Sequence, residues 1–193
     1  MVEGSQIDWA CHANDPGYMV HEILAFDEAV RTAFDFARKR DDTMVIAVSD
    51  HNTGGFSIGN RRTDETYSQT GIEEMLGPVR KMKRSSLFIV KELGGEPSAI
   101  KLKSLLQEFW GTSVNDEEAA AILREMTANK KNPQNALCDF FNPKHTVFGW
   151  TTHGHCGGDV PFAAFGPGAP DGSLDAPELG RICMDALGLT VDQ

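Results

Sequence analysis

No stretch of the sequence comes near the roughly 20 consecutive apolar residues that a helix needs to cross a bilayer, so no membrane span is expected. Met1 is followed at once by Val2, Glu3 and Gly4, not by the basic and then apolar stretches of a signal peptide. Cysteine is sparse: Cys11, Cys138, Cys156 and Cys183 contain no C-x-x-C pair. They are too few and too scattered for a disulfide framework. Buried or free thiols are the expectation, and the redox compartment stays open. Basic residues are also in short supply. Eighteen Lys and Arg stand against 28 Asp and Glu, a formal net charge of -10, whereas a nucleic-acid binder carries a basic face. Nucleic acid is therefore not an expected partner. An acidic protein can still act on phosphate where metal cations supply the local positive charge.

What remains is a chain of 193 residues, 40% hydrophobic and 24% charged, enough for one globular domain with a real core. It shows no internal repeat and no low-complexity tract. Ile7 to Ala13 reads as a short helix. Phe26, Val30, Ala33, Phe34 and Ala37 fall on one helical face, which predicts a helix from Phe26 to about Lys39 with Asp27 as its cap. Thr43–Val48 is a short apolar run rich in β-branched residues and reads as a buried strand. It ends at Ser49-Asp50-His51-Asn52, followed by Thr53-Gly54-Gly55. Helix, buried strand and polar strand end together predict an α/β protein with a parallel sheet. From about Gly59 to Asn142 the character changes. Helices are expected near Ala99–Trp110 and Asp116–Lys130, the second opened by an Asn115/Glu118 capping box. Arg80, Lys81, Lys83 and Arg84 read as a solvated helix face. The whole 59–142 stretch reads as an inserted helical subdomain. Strands return at Thr146–Trp150 and Val160–Phe165. A last helix begins near Pro177, capped by Asp175 or Ala176, and ends at Gly188.

The chemistry sits in three places. Asp8 and His12 are four apart, so on a helix their side chains share one face and can ligate one metal. Asp50 and His51 stand side by side at the end of the buried strand, the edge at which open parallel sheets bind ligands. Their side chains point in opposite directions and can face two different metals. His153 and His155 lie in the Gly-rich segment Trp150–Asp159, where spacing alone does not choose between them as the ligand. Carboxylates and imidazoles without thiolates suit zinc with an open coordination position. Two such ions about 3.5–4 Å apart form a clamp for in-line phosphoryl transfer. Glu3 adds a hard carboxylate of the kind magnesium takes.

Glu3-Gly4-Ser5-Gln6-Ile7-Asp8 followed by His12 resembles the E-G-x-x-I-D-x-x-x-H segment of alkaline phosphatases. Asp50-His51 resembles that family's D-H pair. His155-Cys156-Gly157-Gly158-Asp159-Val160 is similar to its third metal segment, a His with Gly two residues on and an aliphatic residue five on. His153 lacks that pattern, so the resemblance selects His155 as ligand and leaves His153 in a supporting position. It covers residues 1–60 and about 145–193. It implies that Glu3 binds one Mg2+, that Asp8, His12 and His155 bind a first Zn2+, and that Asp50 and His51 help bind a second. Thr53 stands where some members carry a further histidine, also as a supporting residue. The family's nucleophile is a serine in an Asp-Ser-Ala segment, and this sequence contains no Asp-Ser dipeptide.

The resemblance therefore implies the C-terminal portion, residues 1–193, of an alkaline-phosphatase-like three-layer sandwich with a central, largely parallel sheet and a helical insertion at 59–142. The implied activity is phosphomonoester hydrolysis through a phosphoserine, with phosphomonoesters and inorganic phosphate as ligands and the isolated chain inactive. The alternatives are another hydrolase of the same superfamily, such as a phosphodiesterase, or a non-catalytic metal-binding fragment. Periplasmic or secreted localisation, and room for a homodimer of the full-length enzyme, come with the same resemblance.

Overall fold

The computed structural model describes residues 1–189. In chain order the elements are α1 (Ser5–His12), α2 (Pro16–Ala37), β1 (Val45–Val48), β2 (Asn52–Thr53) and β3 (Ser57–Ile58). Then come α3 (Ile72–Lys81), α4 (Ser86–Leu93), α5 (Ala99–Trp110), α6 (Asp116–Ala128) and α7 (Pro133–His145). The chain closes with β4 (Phe148–Gly149), β5 (His155–Cys156), β6 (Phe162–Phe165) and α8 (Ala176–Ala186). They form two compact units: Met1–Ala25 with His51–Gly158, and Phe26–Asp50 with the chain from Asp159 onward.

In the first unit, α1 ends at a turn in which Asn14 takes a left-handed backbone, φ 52°, a conformation asparagine tolerates. Helix α2 starts at Pro16, whose fixed φ suits a first helical position. Asp15 caps it by accepting from the Tyr18 N–H at 2.9 Å. That start overrides the expected one: Asp27 lies inside the helix, because the Asp15-Pro16 signal stands eleven residues earlier. Asp15 is fully buried and its second oxygen accepts from the Ser86 N–H at 2.6 Å, so one carboxylate joins the starts of α2 and α4. Burial pushes this carboxyl up, opposed by its hydrogen bonds from Ser86 and Tyr18.

The core of this unit is helical. Leu102, Leu106, Trp110, Ile122, Leu137 and Phe141 are buried together, on apolar stripes of α5, α6 and α7. The Trp110 indole N–H donates to the Arg84 carbonyl at 2.7 Å, and its ring meets Phe141 edge-on at 4.6 Å. Helix α5 has its expected bounds, and α6 opens on the Asn115/Glu118 capping box. Helices α4 and α7 were not individually foreseen, and α3 ends within the basic cluster that reads as a helix face. Arg80 and Lys81 close α3, whereas Lys83 and Arg84 follow it; all four are exposed.

The second unit pairs β1 with β6, Val45 opposite Phe165 through Val48 opposite Phe162. Phe34 of α2 packs on Phe165 with ring centres 5.5 Å apart. Helix α8 starts behind Asp175, and Gly188 takes φ 68° after it, as expected.

The expected parallel sheet is not formed by these strands. Among the described residues the six strands make three antiparallel pairs, β1 with β6, β2 with β5 and β3 with β4. The helical stretch between β3 and β4 is long enough for a parallel crossover yet returns into β4 antiparallel to β3, so the length of a connection does not fix the direction of the pair. The result is an α/β chain of helices and small sheets.

Candidate metal centre

Helix α1 presents Asp8 and His12 one turn apart, with the His12 Nε2 3.5 Å from an Asp8 oxygen. The third group arrives on β5. Thr53 and His155 are cross-strand partners and face Asp8 together. The His155 Nε2 lies 4.0 Å from one Asp8 oxygen, and the Thr53 hydroxyl donates to that same oxygen at 2.6 Å. One donor atom from each of Asp8, His12 and His155 falls within 4.8 Å of the others. A carboxylate and two imidazoles at that spacing fit one divalent metal with an open position.

Hydrogen bonds set which nitrogen each ring presents. The His12 Nδ1 donates to the His153 carbonyl at 2.5 Å, which turns Nε2 toward Asp8 with its lone pair available. His51 stacks on His155 with ring centres 3.6 Å apart. Its Nδ1 lies 3.1 Å from the Thr53 hydroxyl oxygen. Thr53 accepts from His51 and donates to Asp8, so one hydroxyl links the two metal-type side chains.

The backbone around them is tightly fitted. Gly54, at φ 81°, packs so close to the Trp150 ring and the Cys11 carbonyl that a Cβ would sit 2.7 Å from the ring. Gly55, at φ 57°, leaves no room beside the Thr151 hydroxyl. The Gly54 N–H donates to the Gly154 carbonyl at 2.9 Å, and the Gly54 carbonyl accepts from Thr151 at 3.0 Å.

Of the residues singled out in the sequence, the structure brings Asp8, His12 and His155 into one group, with His51 and Thr53 against it. His153 supports it through its main chain and does not join it. Glu3 is exposed ahead of α1, and Asp50 is exposed at the close of the 26–50 segment. Two residues were missed. Asn135 donates to the His12 carbonyl at 3.2 Å, and Asp139 lies 3.0 Å from the His153 Nε2. Their only sequence signal is a four-residue spacing, which many helices share.

Cys11, beside His12, is buried, and its thiol is pushed up to about 11 by burial first and then by the charges of Asp8 and Cys156. Cys138 is raised well above the ordinary thiol value, again mainly by burial. All four cysteines are free. Thiolate is the reactive form, so iodoacetamide at pH 8 is expected to label the half-buried Cys156 and Cys183 well before Cys11 and Cys138. Peptide mass spectrometry of the native protein reads the order, and early labelling of Cys11 would contradict it.

Taken together, a helix and a strand pair bring a carboxylate and two imidazoles around one point in an α/β chain, a group that could hold a metal ion. The comparisons with known proteins make the assignment specific. The family profile for alkaline phosphatase matches residues 1–187, and the chain belongs to that family. Alkaline phosphatase 4 of Bacillus subtilis (strain 168) is 35% identical over 170 residues, 87% of this chain and 34% of that protein. Alkaline phosphatase 3 of the same organism is 35% identical over 194 residues, 97% of this chain and 39% of that protein. The crystal structure of Thermus thermophilus alkaline phosphatase superposes with a TM-score of 0.83 at 24% identity, over 98% of this chain and 43% of that one; this likeness is one of fold. The chain thus spans between a third and two-fifths of the length of these curated relatives. Among the described residues no helix is long and apolar enough to cross a membrane.

Proposed function

We propose that this chain supplies the metal-binding part of a phosphomonoester hydrolase of alkaline phosphatase type. The observation that carries the reading is the convergence of Asp8, His12 and His155, from segments more than 140 residues apart, within 4.8 Å. In this reading Asp8, His12 and His155 hold a first zinc, Asp50 and His51 contribute to a second, and Glu3 serves a magnesium. Metal ions so held supply Lewis-acid stabilisation of phosphoryl oxygens in an in-line displacement. The residues of this chain do the positioning. Thr53 fixes the Asp8 carboxylate by its 2.6 Å hydrogen bond, and the His153 carbonyl sets the proton of His12.

The phosphoserine route needs a nucleophile in an Asp-Ser-Ala segment, and with no Asp-Ser dipeptide in the sequence the reading assigns it to residues other than these 193. The central parallel sheet, joined by strands from the same source, and a periplasmic or secreted location belong to the same proposal.

The test is an assay of the full-length gene product beside the 1–193 chain, each with zinc, on p-nitrophenyl phosphate and bis-p-nitrophenyl phosphate. The full-length protein is expected to hydrolyse the monoester far faster than the diester, and the 1–193 chain to hydrolyse neither. Preference for the diester would overturn the substrate class. Robust turnover by the 1–193 chain would overturn the assignment of the nucleophile.

A further inference from the structure

Helix α7 presents two unlike faces. Ala136, Leu137, Cys138 and Phe141 enter the helical core. Asn135, Asp139 and Asn142 fall at i, i+4 and i+7, one stripe of the same helix, and this stripe grips the metal-site segments. Asn135 donates to the His12 main-chain carbonyl at 3.2 Å. Asn142 donates to the Asn14 carbonyl at 2.6 Å. The His153 Nε2–H donates to Asp139 at 3.0 Å, and the Asn135 amide donates to the His153 Nδ1 at 3.0 Å. The ring of contacts closes where the His153 carbonyl accepts from the His12 Nδ1.

Asn135 and Asn142 are 8% and 3% exposed. A buried polar group left unpaired costs about 1–3 kcal/mol, so a helix that only filled a core would carry apolar side chains there. Asn135 and Asp139 instead hold the two sides of one hydrogen bond, the one that decides which His12 nitrogen bears the proton, and Asn142 holds the chain two residues past His12. The His153 carbonyl can hold that proton on Nδ1 only while the 153 segment stays in place, and the His153 side chain is anchored by Asp139.

We propose that Asn135 and Asp139 are positioning residues that lock His12 in the Nδ1–H tautomer and so keep its Nε2 free toward Asp8. The inference rests on the metal-site reading above for the use of that nitrogen, but the tautomer belongs to the metal-free protein and can be observed without any metal. It gives the helical 59–147 excursion a part in building the site.

The experiment is two-bond 1H–15N NMR of the full chain with 15N-labelled histidine and no metal, followed by zinc titration. The wild type is expected to show a protonated Nδ1 and an unprotonated Nε2 at His12. Asp139→Ala is expected to give a mixture of tautomers and a zinc affinity lowered roughly 10–100-fold, the usual effect of losing a supporting hydrogen bond. Asp139→Asn, whose amide oxygen can still accept from the His153 Nε2–H, is expected to restore both. The Asp139 side chain is 50% exposed, so its truncation should leave the circular dichroism spectrum unchanged. Should it not, Asn135→Ala carries the same expectation. An unchanged His12 tautomer in both alanine variants would overturn the proposal. If the wild type binds no zinc, the metal-site reading fails, while the tautomer comparison still decides this inference.

Discussion

Replacing His12 with alanine is expected to weaken zinc binding at the proposed site by more than the roughly 10–100-fold that follows loss of a supporting hydrogen bond, because the change removes a donor outright. Only Asp8 and His155 would then remain of the convergent group, and two side-chain ligands make a poor site for an ion that takes three or four. The full chain titrated calorimetrically with zinc reads the loss. Near-equal affinities in wild type and variant would remove His12 from the site and with it the basis for the proposed function.

Truncating Phe141 to alanine is expected to cost about 3–5 kcal/mol of stability, the range for deleting a fully buried aromatic side chain. Phe141 is completely buried. It meets Trp110 edge-on at 4.6 Å and stacks on His145 at the same separation, so its removal opens a cavity that rigid rings cannot collapse to fill. At roughly 2–4 °C per kcal/mol for a chain of this size, the thermal midpoint of the helical unit should fall by about 6–20 °C, followed by far-ultraviolet circular dichroism. A loss under about 1 kcal/mol would mean that α7 is not docked as described. Because Phe141 lies on the same helix as Asn135 and Asp139, zinc affinity should decline together with stability in this variant.

The site was more legible in the sequence than the fold was. Asp8 and His12 could be placed on one helix face from their spacing alone, and the structure brings them together. His155 could not be told from His153 by spacing. Family resemblance chose it, and in the structure His155 turns its ring to Asp8 while His153 offers a carbonyl. What no local pattern could show are pairings across great sequence distance, such as Asn135 with His12, 123 residues away. Helix α7 was hidden because it contains Pro143, a residue that reads as a break in isolation and is carried here by packing, and of α3, which contains Gly77 and Pro78, only the basic end read as helix. Helix α2 was begun too late because periodicity from Phe26 outweighed the Asp15-Pro16 start. The parallel sheet was inferred from one buried strand, whose orientation relative to any partner depends on the connections and not on its composition.

The pairing of Thr53 with His155 also acts as a chemical selector. Neighbouring residues on a strand face opposite ways, so a slip of one position would turn His155 away from Asp8 and bring in Cys156 or Gly154. One slip exchanges a nitrogen donor for a soft sulfur; the other leaves no donor at all. Between the two short ladders, Gly54, Gly55 and Phe56 on one side face the five residues Trp150–Gly154 on the other, and the surplus is taken up in the arch that carries His153. With Gly54 wedged against Trp150 and Gly55 against Thr151, the arch cannot feed a residue into β5. The donor set offered at this point is thus held as much by two glycines that present no donor as by the histidine that does.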